Sequence, residues 1–242
     1  MDGSNTRLIV EYLAEPVRKQ AGESEVKAIE RMVLDHAEKG FELVEACGDE
    51  IRMPNLIFAK TLASGKKPEL KVEEIAHVRG KGEIDEIRNR ILELNDQGWF
   101  PLCVLDSPLT PPIAIYKKVD RTPAADRIEV VPIAINLLGQ TAKAINDEIM
   151  SQEMRNNLRP RTVMSSGLTP VVIFVSREKK GMEEYLVEHA KGGIFSNASK
   201  RLTDLIRGRS LEGWQVCGAF EDETLMPCVV FSRFTDHDSA GA

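Results

Sequence analysis

Gly98-Trp99-Phe100-Pro101-Leu102-Cys103-Val104-Leu105, followed by Pro112-Ile113-Ala114-Ile115-Tyr116-Lys117-Lys118, is the stretch that decides the fold. A glycine closes a helix-like segment and an aromatic opens an apolar run. A proline starts a second apolar run, which ends in an aromatic and a lysine. The same layout recurs at Gly40-Phe41 and Gly213-Trp214. Fourteen residues beyond each glycine stand Pro54, Pro112 and Pro227. Eighteen beyond stand Phe58, Tyr116 and Phe231, and twenty beyond stand Lys60, Lys118 and Arg233. Coincidences at fixed offsets in three places are the mark of an internal repeat.

A fourth copy is in register around Pro170 and Phe174. Fourteen residues before Pro170 is Asn156, and asparagine is the next-best residue to glycine for a left-handed helix stop. The stops expected at 40, 98, 156 and 213 are spaced 58, 58 and 57 residues apart. The aromatic position of this copy then falls on Asn157.

Each copy reads as strand, helix, strand, strand. Leu8 to Leu13 is rich in bulky and β-branched residues, as a first strand should be. Val26, Ile29 and Val33 follow at helical spacing, as do Ile84, Ile87 and Ile91, then Ala142, Ile145 and Ile149, so each helix buries one face. Copy one carries about four extra residues, placed in the polar loop Arg18 to Glu23. The third strand starts just after its proline, where a missing N–H removes no ladder bond. It is apolar on both faces (Val171-Val172-Ile173-Phe174-Val175), which marks a central strand.

The expected fold is α+β: four tandem βαββ repeats, helices on one face of mainly antiparallel sheets, repeats packed in pairs. The repeats span 5–62, 68–119, 126–178 and 182–235. Two pairs make either one compact body or two lobes, 1–120 and 124–242, with the segment Val119 to Asp126 as the flexible join. Residues 63–68 read as a linker and 236–242 as a polar, disordered tail.

The chain has 242 residues, is 42% hydrophobic and 29% charged, and carries a net charge of −6. An acidic chain repels phosphate backbones, so nucleic acid is a disfavoured partner. No apolar run is long enough to cross a membrane, and the N-terminus is no signal peptide, so a cytoplasmic location is expected. The four cysteines (Cys47, Cys103, Cys217, Cys228) and four histidines (His36, His77, His189, His237) lack metal-ligand spacing. No metal or cofactor is expected from the sequence.

Gly40-Phe41-Glu42-Leu43-Val44 resembles the hallmark of a family of short bacterial domains of unknown function. In that family a helix ends in Gly-Trp-Glu-Leu-Val and the following hairpin ends in an aromatic and a basic residue. The resemblance recurs once per copy and covers nearly the whole chain. The chain departs from the pattern at Phe41, at Phe100-Pro101, at Gln215 and throughout copy three. The resemblance implies a fold of small α+β units and supplies no catalytic residues.

The features that separate the copies are basic. Arg155, Arg159 and Arg161 surround the third stop, and Arg207 and Arg209 lie on the fourth helix. Arg207 takes a position that is apolar in the other copies (Leu34, Leu92, Met150). Guanidinium groups suit phosphate or carboxylate because they donate paired hydrogen bonds. These five arginines are the candidate binding residues, for a small anionic ligand or an acidic protein partner. The simpler reading is a solvated helix face with a slightly rotated apolar stripe, in which Leu205 and Leu211 take over the packing. Gly192-Gly193 precede the fourth helix but match no phosphate-binding fingerprint, and Ser196, Asn197 or Ser199 reads as its N-cap. Ser165 and Ser166 have no histidine placed beside them by any motif. The reading is therefore a non-catalytic binding or scaffolding protein. A sensor of an anionic metabolite comes second, and an enzyme with a site in a cleft between repeats comes third.

Overall fold

The computed structural model describes residues 9–48, 53–61, 69–76, 81–107, 110–135, 140–166, 169–176, 182–192, 197–224 and 226–235. The segments 63–68, 193–196 and 236–242, His77 and His237 lie outside the described residues. The first unit comprises β1 (Ile9–Pro16), α1 (Glu25–Glu38), β2 (Phe41–Cys47) and β3 (Asn55–Thr61). The second comprises β4 (Leu70–Glu74), α2 (Lys81–Asp96), β5 (Trp99–Ser107) and β6 (Thr110–Lys118). The third comprises β7 (Ile128–Pro132), α3 (Thr141–Asn156), β8 (Leu158–Ser166) and β9 (Thr169–Ser176). The fourth comprises β10 (Met182–His189), α4 (Ala198–Leu211), β11 (Gln215–Glu221) and β12 (Pro227–Thr235). Each unit forms its own three-stranded antiparallel sheet with the third strand in the middle, in the orders β1-β3-β2, β4-β6-β5, β7-β9-β8 and β10-β12-β11. Among the described residues no helix is long and apolar enough to cross a membrane.

The recurring residues have local reasons. Gly40, Gly98 and Gly213 hold φ of 82°, 82° and 85°, a left-handed stop that releases the chain from helix into strand. In the third unit the stop is Asn157 (φ 53°), one residue later than the expected Asn156, which is the last residue of α3. The position after the stop is therefore the buried Leu158. The recurring prolines stand just before β3, first in β12, second in β9 and third in β6, so two of the strands start ahead of their proline, and each proline supplies a carbonyl in place of an N–H. Val17, Ile75, Ile133 and Ala190, each just past its first strand, donate to Pro54, Pro112, Pro170 and Pro227 at 2.7, 2.8, 2.8 and 2.7 Å. The aromatic and basic residues set nineteen apart in sequence meet across the ladder. Lys60, Lys118 and Arg233 lie 5.4, 4.9 and 4.5 Å from the ring centres of Phe41, Trp99 and Trp214. The third unit has lost both partners together, with Leu158 facing Ser176. Asn197 is the N-cap of α4, accepting from Lys200 N at 3.1 Å.

The core is shared between units. Each helix buries one face on its own sheet, through Ile29, Ile87, Ile145 and Leu202, all fully buried. Each such side chain contributes about 1.5–3 kcal/mol. The same helix also covers the open face of the next sheet. Ile29 and Val33 of α1 share a cluster with Val72, Cys103 and Ile115 of the second unit. Ile87 and Ile91 of α2 join Val130 and Ile173 of the third, and Ile145 and Ile149 of α3 join Phe220 and Val230 of the fourth. Leu202 and Ile206 of α4 join Tyr12, Ile57 and Ala59 of the first. The central strand is two-sided for this reason: Leu56 and Phe58 face α1, while Ile57 and Ala59 face α4.

Packing thus goes beyond pairs. Every unit packs on both neighbours and the fourth returns to the first, closing a ring. The second strands β2, β5, β8 and β11 lie against one another in that order around its axis. The closure is hydrogen bonded as well: Ala14 N donates to Thr203 Oγ1 at 2.9 Å, in a buried position. The middle segment read as a flexible join is tied down. Ala124 and Ala125 are buried, and Asn95 both donates to Ala125 O and accepts from Ala125 N, at 3.0 and 2.7 Å. A two-lobed division at this point has no counterpart in the packing, because the cluster around α2 spans it.

Candidate functional site

The four second strands share one irregularity. Each ladder skips a residue: Val44 in β2, Leu102 in β5, Arg161 in β8 and Cys217 in β11. Each is the fourth residue after its helix stop, so the bulge is part of the repeat. A bulge turns two successive side chains to nearly the same side of a strand. Leu102 and Cys103 accordingly both join the core formed with α1. The residues just after the bulge are Glu45, Cys103, Thr162 and Gly218, and the first three are fully buried. The axis of the ring is therefore lined by side chains that a regular strand would have split between its two faces.

Two ionisable groups stand there. Glu45 Oε1 accepts from the Thr162 hydroxyl and from Ala46 N, both at 2.9 Å, while Oε2 is buried with no hydrogen-bond partner. Burial pushes the Glu45 carboxyl up to about 8, against a smaller opposing pull from Arg161. Arg161 Nε donates to Pro101 O at 2.9 Å, and a terminal nitrogen donates to Val44 O at 3.4 Å. Its guanidinium lies 5.6 Å from the centre of the Phe100 ring. Burial lowers the Arg161 guanidinium from its ordinary value, and Glu45 opposes that shift. No carboxylate of the described residues reaches Arg161 within ion-pair distance. Two thiols border the pair, Cys103 and Cys217, and burial pushes both well above the ordinary thiol value. Such thiols are poor nucleophiles.

A cavity of about 230 Å³ opens onto Arg161. Its walls come from all four units, and among them are Tyr12, Phe41 and Glu42 from the first, Leu102 and Lys117 from the second, Arg161 from the third, and Gln215 and Val216 from the fourth. Most of this lining is apolar. Lys117 is paired with Glu42 at 3.7 Å, which leaves Arg161 as the unpaired cation of the cavity among the described residues. The Tyr12 hydroxyl is pushed up to about 12 by burial, with the Val216 amide pulling the other way.

The five candidate arginines take different places. Arg161 points into the ring. Arg159 lies on the same strand, half-buried, and its charge acts on Arg161. Arg155 is exposed in the last turn of α3. Arg207 donates to Tyr12 O at 3.1 Å and to Glu11 at 3.2 Å, and so helps close the ring. Arg209 donates to Glu188 and Glu212, each at 2.7 Å. The last two are neutralised by carboxylates and offer little to an anion. Leu34, Leu92 and Met150 are 43%, 37% and 37% exposed, so Arg207 replaces surface side chains and leaves the apolar stripe intact. The sequence reading missed Glu45, Thr162 and Lys117. Its one available signal was Glu45 itself, a carboxylate at a position where the other units carry Cys103, Thr162 and Gly218.

Away from the axis, His189, Asp222 and Cys228 each bring a metal-ligating atom to one place at the β11–β12 hairpin. No protein-family model, curated protein or solved structure matches the chain.

Proposed function

We propose that the protein is a non-catalytic binding protein for a small carboxylate with a compact apolar body, held in the axial cavity with its charge against Arg161. The observation that carries this reading is the half-buried Arg161 guanidinium, without an ion-pair partner among the described residues, opening on a cavity lined mostly by apolar side chains. A charge partly withdrawn from water without its counter-ion is costly, and a ligand carboxylate would supply that counter-ion. The cavity lies just below the roughly 300 Å³ at which pockets for drug-sized ligands begin, so the ligand is a small metabolite. Arg159, close enough for its charge to act on Arg161, adds to the attraction for an anion.

The test is a thermal-shift and calorimetric screen of the full chain against short branched and aromatic carboxylates, each beside its matched amide. Carboxylates should raise the melting temperature while their amides do not, and Arg161→Met should remove the effect. The reading fails if no carboxylate binds, or if Arg161→Met binds as tightly as the parent. A scaffolding role is the second reading, favoured by Met154 and Leu211, which are 75% and 91% exposed. Light scattering of Met154→Ser and Leu211→Ser beside the parent tests it, since loss of an assembly would support docking through these side chains.

A further inference from the structure

The cluster at the β11–β12 hairpin gathers three chemically different donor atoms. β10 ends at His189, which sits directly opposite Cys228 in the antiparallel register. Asp222 follows Glu221, the last residue of β11, which pairs with Pro227. Three strand ends thus bring an imidazole, a carboxylate and a thiol together, with one ligand atom of each within 4.8 Å of the others. Asp222 is oriented in advance. Its Oδ1 accepts from Thr224 N, Thr224 Oγ1 and Met226 N at 2.9, 2.7 and 3.0 Å, and its Oδ2 lies 2.9 Å from His189 Nε2. Cys228 is fully buried, whereas the His189 side chain is 40% exposed, so the cluster opens to solvent on its imidazole side.

We infer that His189, Asp222 and Cys228 form a binding site for a transition-metal dication such as Zn²⁺, with a fourth position open to water. Nitrogen, carboxylate oxygen and sulfur together suit Zn²⁺, while Mg²⁺ and Ca²⁺ prefer oxygen alone. Zinc bond lengths place tetrahedral ligand atoms roughly 3.3–3.5 Å apart, so side-chain adjustments of about 1 Å close the cluster on the ion. The three hydrogen bonds to Asp222 Oδ1 are the kind of outer support that orients a ligating carboxylate. Glu221 and Glu223 add negative charge around Cys228. Arg201 opposes them, with its guanidinium donating to Ala190 O at 2.9 Å beside His189. Burial and the neighbouring carboxylates raise the Cys228 thiol above its ordinary value, so in the metal-free protein the thiol holds its proton. Binding breaks that S–H bond, forms the metal–sulfur bond and releases one proton to water. The ion replaces the contact between His189 and Asp222, and the bound imidazole carries its proton on the ring nitrogen that does not face the ion.

The experiment is a Co²⁺ titration of the full chain, with thiols reduced and metals first removed by a chelator. The expected result is one Co²⁺ per chain, visible bands of tetrahedral intensity and a near-ultraviolet thiolate-to-cobalt band, all bleached by Zn²⁺. Cys228→Ser should remove the near-ultraviolet band. His189→Gln alters a partly exposed side chain, should keep the fold, and should weaken Co²⁺ binding about tenfold or more. A parent protein without the thiolate band overturns the inference and leaves the cluster a hydrogen-bonded hairpin lock. A band undiminished in Cys228→Ser, or an affinity unchanged in His189→Gln, overturns it too.

Discussion

Glu45 and Thr162, the residues just past the bulge in the first and third units, are hydrogen bonded to each other across the ring, with the Thr162 hydroxyl donating to Glu45 Oε1 at 2.9 Å. Units one and three are not neighbours in the ring, so this contact ties opposite sides together. It also leaves Glu45 Oε2 buried without a hydrogen-bond partner among the described residues, a place better suited to a protonated carboxyl than to an ionised one.

That arrangement makes stability depend on pH. The Glu45 carboxyl moves from an ordinary 4.5 to about 8 on folding. Between these values the folded chain holds a proton that the unfolded chain has lost. Stability from this group is therefore complete below the lower value, falls by about 1.4 kcal/mol per pH unit above it, and levels off above the higher one. Glu45→Gln keeps an acceptor for Thr162 and cannot ionise. Urea unfolding at roughly pH 5.5 and 7.5 should show the parent losing about 2–3 kcal/mol more than the variant. Identical pH dependence in the two proteins would count against a protonated Glu45.

Gly218 and Gly208 should respond in opposite directions to the same change. A Cβ on Gly218 would meet Val163 Cγ2 at 2.9 Å and Val230 at 3.3 Å, in the packed interior of the ring. A Cβ on Gly208, in α4, would meet nothing within 4 Å. Gly218→Ala should cost about 1–3 kcal/mol by overpacking. Gly208→Ala should stabilise by about 0.4–1 kcal/mol, because alanine has fewer unfolded conformations to lose. Denaturant unfolding of the two variants checks both signs.

The helix stops differ in what surrounds them. Gly40→Ala faces the left-handed penalty of about 1–2 kcal/mol alone, since its nearest neighbour is the flexible Lys60 side chain at 3.8 Å. At Gly98 a Cβ would also sit 2.9 Å from Arg121 O, in backbone that cannot step aside. Gly98→Ala should lower the melting temperature more than Gly40→Ala. Equal shifts would show that the segment after β6 yields.

Trp99 and Lys118 stack at 4.9 Å at the corner where helix becomes strand. A double-mutant cycle with Trp99→Leu and Lys118→Met should give a coupling of about 0.5–1 kcal/mol. The equivalent cycle at Leu158 and Ser176 should give none. Equal coupling at the two corners would remove the reason for linking the fixed aromatic-to-base offset to this contact.

Much of the frame was legible in the sequence, because its causes are local. A glycine with positive φ, a proline opening a strand and a helix with one apolar face each leave a residue-level mark. The two-sided third strand, seen in Val171 to Val175, announced that something covers its second face but not what. That cover is a helix from the neighbouring unit, and for the first sheet it is Leu202 and Ile206, far along the chain. The axial site was hidden by the bulge, which has no sequence mark. In a regular strand the alternation Leu43-Val44-Glu45 would send Glu45 to the helix side with Leu43. Arg161 was singled out as one of a surface group and instead lies inside the ring, where its role is set by strands of three other units.

Closure of the ring bears on how the chain is made. Synthesis delivers the first sheet early and its covering helix α4 only after three complete units. Until then Tyr12, Ala14, Ile57 and Ala59 have no apolar partner on their outer face. The nascent protein carries that apolar surface through most of its translation, and the ring closes only once Thr203 reaches Ala14. A chain stopped before α4 would therefore be an aggregation-prone fragment, more so than an open array of the same units cut at the same place.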